Sequence, residues 1–327
     1  MYLKREYERI IFKLLNVCLL CLMMTHKYSQ AKGGFKCIYG YEKSMYTANC
    51  TLDERETKFP KDLNRGIEAL YLKRSMIRSI DDNTFENLSN IKFLFLEFNT
   101  RLRASARAFK PLNKLHTLDL SYSGITNTTA IEFPESLKQL SLSGVEKVTT
   151  ESGELPISCL QDLEGLSLSD CSLNEVPSFG GPLISLTSLD LTDNALQDFK
   201  FESLANLCSL KKLFISPDVI EVRNYCECVK LKQWTESQHI IGANIICKSD
   251  NNDQECNTSL SKAFLETHNS CIRKRKMRTF LSWFFGVSII LAGCFVCVAL
   301  LIGLYIACNR RQFSRNTIRA YFLCQRR

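Results

Sequence analysis

The stretch LHTLDL at residues 115–120 decides the fold, because its leucines follow the spacing L-x-x-L-x-L and the pattern returns along the chain. The seven copies are IEALYL from Ile67, IKFLFL from Ile91, LHTLDL from Leu115, LKQLSL from Leu137, LEGLSL from Leu163, LTSLDL from Leu186 and LKKLFI from Leu210. Successive copies start 22 to 26 residues apart. A near-constant period of this length is the signature of stacked structural repeats.

The alternation within each copy predicts a short strand with one buried face, since side chains of a strand point to opposite faces in turn. No single unit can bury that face alone, so the strands must stack into a parallel sheet along a solenoid. Apolar residues farther along each unit, such as Phe85 and Phe109, turn the chain back beneath its strand.

This unit resembles that of the leucine-rich repeat family, LxxLxLxxNxLxxLxxxxFxxL, over most of residues 35–272. The resemblance implies an α/β fold in which a curved parallel sheet of about seven repeats, residues 67–223, lies between caps at residues 32–66 and 224–272. The asparagine of the family's turn is matched by Asn99 and Asn194. The other units have Ser75, Ser123, Val145, Cys171 and Asp218 in that column. Because valine cannot make the asparagine's hydrogen bond, a distorted coil is expected at residues 145–158.

The first residues have the layout of a secretory signal peptide, residues 1–31. Lys4, Arg5 and Arg9 precede a mostly apolar run at residues 10–24, and the small residues Ser29 and Ala31 suit cleavage after Ala31. An uncleaved anchor is the alternative. The run is too short to span a bilayer comfortably, which favours the signal peptide.

A second apolar run, residues 280–308, contains no charged residue and is longer than a bilayer core requires. We predict a transmembrane helix at residues 281–306, after a basic juxtamembrane segment at residues 273–280. The tail at residues 307–327 is short and basic, so the expected topology is single-pass type I with the amino terminus outside. Cys308, beside two arginines, is a palmitoylation candidate, or else a plain thiol.

The formal net charge of +8 belongs to the ends of the chain. Residues 32–272 contain 26 lysines and arginines against 32 acids, a net charge of −6. The basic excess therefore lies in the targeting and membrane flanks, and nucleic-acid binding loses its main support.

Ten of the 16 cysteines lie at residues 37–271, and an even number in an exported segment suits disulfide bonds. The segment CECVKLKQW at residues 226–234 resembles the family's carboxy-terminal cap, which implies the pairs Cys226–Cys247 and Cys228–Cys271. Cys256 offers a rival partner for Cys228. At the front, the resemblance implies the pair Cys37–Cys50.

Two of the four remaining cysteines, Cys171 and Cys208, fall at repeat positions that often bury a free thiol. A zinc site made of Cys226, Cys228, Cys247 and His239 is the alternative to the cap. CxC spacing and an oxidising compartment disfavour it.

Asn49, Asn87, Asn127 and Asn257 each begin an Asn-x-Ser/Thr triplet, so they are predicted glycosylation sites in an exported segment. The sequence has no HExxH or GxSxG motif and no glycine-rich phosphate loop. We therefore predict a binding protein without a cofactor rather than an enzyme.

The x positions of each LxxLxLxx unit face outward on the concave sheet. In the first three units they supply a candidate partner site of Tyr71, Lys73, Phe93, Phe95, Phe98, His116, Asp119 and Tyr122. Solvent-facing aromatic residues are typical of protein contacts. The alternative is that Phe93 and Phe95 pack against neighbours along the ladder. The later units are polar and mildly acidic.

Toll-like receptors, whose ectodomains this sequence resembles, have an intracellular signalling domain. The residues after Cys308 are too few to form such a domain. The expectation is therefore a cell-surface receptor, co-receptor or adhesion molecule that binds an extracellular or membrane protein. An auxiliary subunit that co-assembles with a channel or larger receptor is the alternative.

Overall fold

The computed structural model describes residues 35–52, 57–196, 201–216, 225–243, 245–247 and 256–324. The predicted signal peptide, residues 1–31, lies outside the described residues. The chain divides into two compact units, Met1–Ile272 and Arg273–Arg327. The first unit contains the repeats and both caps.

A nine-stranded sheet runs through the first unit, with one strand from each of the seven predicted copies. Its strands are β1 (Phe35–Glu42), β2 (Met45–Leu52), β3 (Ala69–Tyr71), β5 (Phe93–Phe95), β7 (Thr117–Asp119), β8 (Gln139–Ser141), β9 (Gly165–Ser167), β10 (Ser188–Asp190) and β11 (Lys212–Phe214). They follow one another in this order, and every pair from β2–β3 onward is parallel. The predicted parallel solenoid is confirmed.

The remaining elements return the chain between strands or close the last coil. They are β4 (Ser79–Ile80), β6 (Arg103–Ala104), a 3-10 helix (Phe201–Asn206), α1 (Tyr225–Ser237) and α2 (Lys262–Cys324). Strands β4 and β6 pair in parallel as a second, two-stranded sheet away from the first.

The front of the solenoid is closed by the antiparallel hairpin of β1 and β2. Its register places Cys37 opposite Cys50, and a disulfide bond joins the two residues. This is the pair expected from the resemblance. Because Cys37, Ala48 and Cys50 are buried, the hairpin covers the apolar end that the first repeat would otherwise expose.

The core consists of the repeated apolar columns. The three leucine-type positions of each copy are buried, as in Leu115, Leu118 and Leu120, all fully inaccessible. On the returning side, the Phe85 and Phe109 rings stack with centroids 6.1 Å apart. Each unit therefore buries its apolar face against its neighbours, as a solenoid requires.

The turn asparagines join neighbouring coils. Asn194 donates through Nδ2 to the carbonyl oxygens of Leu168 (2.7 Å) and Leu191 (3.0 Å), and its Oδ1 accepts from the backbone N–H groups of Cys171 (2.9 Å) and Leu173 (3.0 Å). Asn99 makes the equivalent bonds one coil after Ser75. These side chains satisfy buried backbone groups that the turns leave without partners.

The substitutes in this column differ in how well they replace asparagine. The Cys171 thiol donates to the carbonyl oxygen of Leu142 (3.2 Å), and its burial raises the pKa of the thiol to about 11. The Ser123 hydroxyl is buried and has no hydrogen-bond partner. Val145 is fully buried and makes no such bond through its side chain.

The fourth coil is irregular in the region where distortion was expected. A tight turn closes at residues 150–154, where the N–H of Thr150 donates to the carbonyl oxygen of Glu154 (2.8 Å) and Gly153 donates back to Thr150 (3.0 Å). The ladder from β8 to β9 keeps its register, with Leu140 opposite Leu166. The additional residues are therefore accommodated on the returning side.

The carboxy-terminal cap has the predicted cysteines in different pairs. The structure joins Cys226 to Cys256 and Cys228 to Cys247, so the expected pairs Cys226–Cys247 and Cys228–Cys271 are wrong, as is the rival Cys228–Cys256. Residues two apart in a helix point about 200° apart. In α1, Cys228 accordingly faces the core, with 1% of its surface exposed, while Cys226 is half-buried.

The expectation that Cys208 is a free thiol is also wrong. A disulfide bond joins Cys208, which follows the 3-10 helix, to Cys271 in α2. The first turns of α2 are part of the cap: Phe264 is buried, and its ring stacks on Phe201 with centroids 4.4 Å apart. Cys271 therefore lies against the last coil, where Cys208 is its neighbour.

Trp234 of α1 is buried between the last coil and α2. Its indole meets the Phe201 ring edge to face at 5.4 Å and the Phe264 ring at 6.2 Å. The carboxy-terminal cap is thus an aromatic cluster held by three disulfide bonds.

Within α2, residues 262–303 include a segment long and apolar enough to cross a membrane, and it is the one such segment in the described residues. Its apolar window has a mean hydropathy of 2.8 and no buried residue. The predicted span at residues 281–306 overlaps it. The backbone helix includes Cys308, whose side chain lies outside what the structure describes.

Candidate functional site

A column of residues with left-handed backbone runs along the edge of the sheet where the strands end. In six consecutive coils, the residue before the turn column has a positive φ. These residues, which we call the left-handed row, are Arg74 (φ 50°), Phe98 (60°), Tyr122 (51°), Gly144 (73°), Asp170 (54°) and Asp193 (57°). Glycine and aspartate tolerate this conformation, whereas a bulky aromatic residue adopts it at a cost of roughly 1–2 kcal/mol.

The two aromatic members of the row form its exposed centre. The Phe98 and Tyr122 rings stack with centroids 5.3 Å apart and planes 7° apart. They expose 42% and 38% of their surface. The Arg74 guanidinium carbon lies 4.8 Å from the Phe98 centroid, within cation–π range.

Gly144 lets the Tyr122 ring lie across the next coil. A Cβ atom at Gly144 would be 2.5 Å from Cδ1 of that ring. The pKa of Tyr122 is raised first by burial and then by the nearby carboxylates of Asp170 and Asp193. The row therefore changes from cationic through aromatic to acidic.

A second stacked pair lies inside the sheet face. The Tyr71 and Phe95 rings are parallel, with centroids 4.8 Å apart. The Lys73 ammonium lies 5.0 Å from the Phe95 centroid and forms an ion pair with Glu97. Burial, followed by a hydrogen bond to Glu42, raises the pKa of Tyr71.

Glu97 lies between Phe95 and Phe98 in the chain and is buried, with 8% of its surface exposed. One carboxylate oxygen pairs with Lys73, and the other, Oε2, has no hydrogen-bond partner. A buried carboxylate oxygen without a donor is costly. The ion pair between Glu97 and Lys73 holds the Lys73 ammonium above the Tyr71 and Phe95 rings.

The remaining predicted residues of the first three units have structural contacts. Phe93 is half-buried and meets the His116 ring edge to face at 6.4 Å. Asp119 accepts the backbone N–H of Ser121 (2.9 Å). Phe93 and Phe95 thus pack along the ladder, while the exposed aromatic surface belongs to Phe98 and Tyr122.

Beside the aromatic residues, a groove of about 250 Å³ crosses the sheet face from β7 to β11. Its floor includes Ser141 and Ser167, and Asp119, Asp190 and Phe214 also line it. The described residues place no lysine or arginine nitrogen within ion-pairing distance of either aspartate. The groove therefore presents hydroxyls and two carboxylates that accept hydrogen bonds from neighbouring residues and form no ion pair with the described residues.

The structure brings Arg74, Gly144 and Asp170 into this surface, and none of the three was predicted to belong to it. The L-x-x-L-x-L spacing does not predict which residues have a left-handed backbone, because it indicates only which side chains are buried. One available signal was Gly144, at the position that Tyr122 occupies in the preceding unit.

The structure also shows where the cysteines of the zinc alternative and the predicted glycosylation sites lie. Cys226, Cys228 and Cys247 are all in disulfide bonds and supply no thiolate for the zinc alternative. The four sequon asparagines, Asn49, Asn87, Asn127 and Asn257, are exposed or half-buried in the described surface.

Comparison with known proteins supports the repeat fold. The family model described as "Leucine rich repeat" matches residues 65–125, which contain the strands of the first three repeats, β3, β5 and β7. The chain folds as a parallel β-solenoid typical of leucine-rich repeats.

Part of this chain is similar in sequence to lumican and keratocan. Lumican of Bos taurus is 25% identical over 201 residues, which cover 55% of this chain and 57% of lumican. Lumican of Coturnix japonica is 30% identical over 168 residues, covering 49% and 46%. Keratocan of Mus musculus is 29% identical over 172 residues, covering 49% and 48%. The match spans about half of the length of these relatives.

Among solved structures, the mouse RP105/MD-1 complex contains a chain that superposes on this solenoid with a TM-score of 0.46 at 23% identity. The superposition covers 57% of this chain and 31% of the other.

Proposed function

We propose that this leucine-rich repeat solenoid is the ectodomain of a single-pass cell-surface protein, and that it binds a partner protein through the left-handed row. The binding surface centres on Phe98 and Tyr122. Tyr71, Phe95 and the adjacent groove flank it.

The observation that carries the proposal is two bulky aromatic residues in a conformation that disfavours them. The same column has glycine or aspartate in the three following coils, which suit the backbone better. Phe98 and Tyr122 are also largely exposed, so burial in the core does not account for their presence. Backbone strain together with exposed aromatic surface is typical of contact sites.

Membrane attachment is supported by the apolar segment of α2. A helix of this length in the core of a soluble protein is mostly buried, whereas no residue of the apolar window is buried here. The eight disulfide-bonded cysteines suit an oxidising, extracellular location for the repeats.

The experiment compares partner binding by full-length variants expressed on cells. The double variant Phe98→Gly and Tyr122→Gly removes both rings and retains residues that accept a positive φ, as Gly144 does. We expect binding of the partner, captured from native membranes by the wild-type protein, to fall at least about tenfold, because buried aromatic anchors dominate interfaces. We expect surface expression to be unchanged, since the lost stacking and the relieved strain are of similar size.

Met76→Gly is the matched control. Met76 is 45% exposed and has a φ of 57°, but it lies outside the row. Equal binding by the double variant and the control would contradict the proposal. A protein that co-purifies in detergent and is retained by both variants would point to the auxiliary-subunit alternative.

A further inference from the structure

Charge is divided unevenly along the solenoid. Residues 57–135 contain twelve lysines and arginines and nine acids, whereas residues 136–216 contain five and eleven. The first coils are therefore net basic and the later coils net acidic. The basic excess is not spread evenly over the first coils.

Three arginines form an exposed cluster beside the two-stranded sheet of β4 and β6. Arg78 precedes β4, Arg103 begins β6, and Arg101 lies two residues before Arg103. The backbone N–H of Arg103 donates to the carbonyl oxygen of Arg78 (2.9 Å), which fixes these two residues side by side. We call the three the arginine cluster.

Within the part of the chain that the structure describes, the arginine cluster has no ion-pair partner. All three side chains are exposed, and among the described residues no carboxylate oxygen lies within 4.0 Å of their nitrogens. Cations of the same coil behave differently: Arg107 and Lys110 pair with Glu132 at 3.3 and 3.0 Å. Unpaired arginines held together repel one another, and a bound anion relieves that repulsion.

A pocket of about 610 Å³ adjoins the cluster, between residues 58–65 and the returning side of the first coil. Ser79 lines it and pairs in register with Arg103, so the cluster lies at its edge. Lys61 and Arg65 add positive charge to its wall, against the single acid Asp81.

The other lining groups suit a sugar. Asn83 and Thr84 present an amide and a hydroxyl, which hydrogen-bond sugar hydroxyls, and the half-buried Phe59 ring offers an apolar face. Guanidinium groups match the geometry of sulfate and phosphate oxygens by paired hydrogen bonds.

We infer that the pocket and the arginine cluster together bind a sulfated polysaccharide. One sugar unit lies in the pocket, and the sulfates of the following units meet Arg103, Arg78 and Arg101. This surface is separate from the left-handed row, so it neither requires nor tests the partner-protein proposal.

The test measures binding of full-length protein in neutral detergent to immobilised heparin octasaccharide. Asn87 lines the pocket and begins a sequon, so each protein is measured both with its native Asn87 and as Asn87→Gln, and binding confined to the Asn87→Gln forms would overturn the inference. Arg78→Ser with Arg103→Ser removes two unpaired cations and is expected to weaken binding at least about tenfold. The control variant Arg107→Ser with Lys110→Ser removes two ion-paired cations from the same region. It is expected to change heparin binding less than about twofold.

The double variant Lys61→Ser with Arg65→Ser alters the pocket wall without touching the β4–β6 pair, and it should also weaken heparin binding. It replaces the first double variant in the test if that variant fails to fold. Desulfated octasaccharide should not bind. Equal losses in the paired and unpaired variants, no heparin binding by the parent protein, or equal binding to phosphatidylserine vesicles would each overturn the inference.

Discussion

Single residues determine what the edge of the sheet presents. The first three residues of the left-handed row, Arg74, Phe98 and Tyr122, suit its backbone poorly, whereas the last three, Gly144, Asp170 and Asp193, suit it well. Gly144 satisfies two requirements at once, because its φ of 73° favours glycine and its missing side chain leaves room for the Tyr122 ring. The geometry of the proposed binding surface therefore depends on a residue that contributes no contact surface of its own.

Gly144→Ala is expected to destabilise the protein more than Gly153→Ala. Both glycines have a φ near 75°, so each alanine has a backbone cost of roughly 1–2 kcal/mol. Only at Gly144 does the new Cβ also meet a ring, at 2.5 Å, whereas at Gly153 the nearest atom is 3.4 Å away. Thermal unfolding of both full-length variants measures the difference, and equal midpoints would contradict this account of Tyr122.

Asn194→Ala and Ser123→Ala test the turn column. The Asn194 side chain hydrogen-bonds five backbone groups, and leaving them unsatisfied is expected to cost about 3 kcal/mol or more. The Ser123 hydroxyl has no partner, so its removal is expected to change the unfolding free energy by less than about 0.5 kcal/mol. Denaturant unfolding gives both values, and a large loss for Ser123→Ala would be inconsistent with the structure.

At the scale of elements, the repeats could be predicted and the carboxy-terminal cap only in part. The strands follow from buried leucines at constant spacing, which depends on local alternation alone. The disulfide pairs depend on how α1, α2 and the last coil pack. Phe264, His268 and Cys271 have the spacing of one helical face, a signal that α2 begins inside the cap. Likewise, the stacking of Tyr71 on Phe95 depends on the register between coils, which spacing does not report.

Disulfide mapping of the non-reduced protein tests the cap directly. We expect linked peptides for Cys208–Cys271, Cys226–Cys256 and Cys228–Cys247. Replacing Cys208 and Cys271 by serine opens a covalent loop of 63 residues and is expected to cost about 4 kcal/mol. A peptide joining Cys228 to Cys271 would instead restore the pairing implied by the family resemblance.

At the scale of the whole molecule, a solenoid offers separate surfaces because each repeat contacts only its neighbours. The left-handed row lies along the sheet edge, whereas the arginine cluster lies on the returning side of the first two coils. The two proposed ligands differ in chemistry accordingly: an aromatic and partly acidic surface for a protein, and a basic surface for a sulfated glycan. Variants of one surface should leave the other intact, since substitutions at distant sites are usually independent.

The Cys208–Cys271 bond also determines how the ectodomain would carry mechanical load. Tension applied to the chain beyond Cys271 reaches Cys208 through one covalent bond, so it enters the last coil directly. The intervening residues, which include α1 with Trp234, lie inside the closed loop and carry no tension. The cap is thereby shielded from pulling, and the repeats would have to yield, coil by coil, before it does.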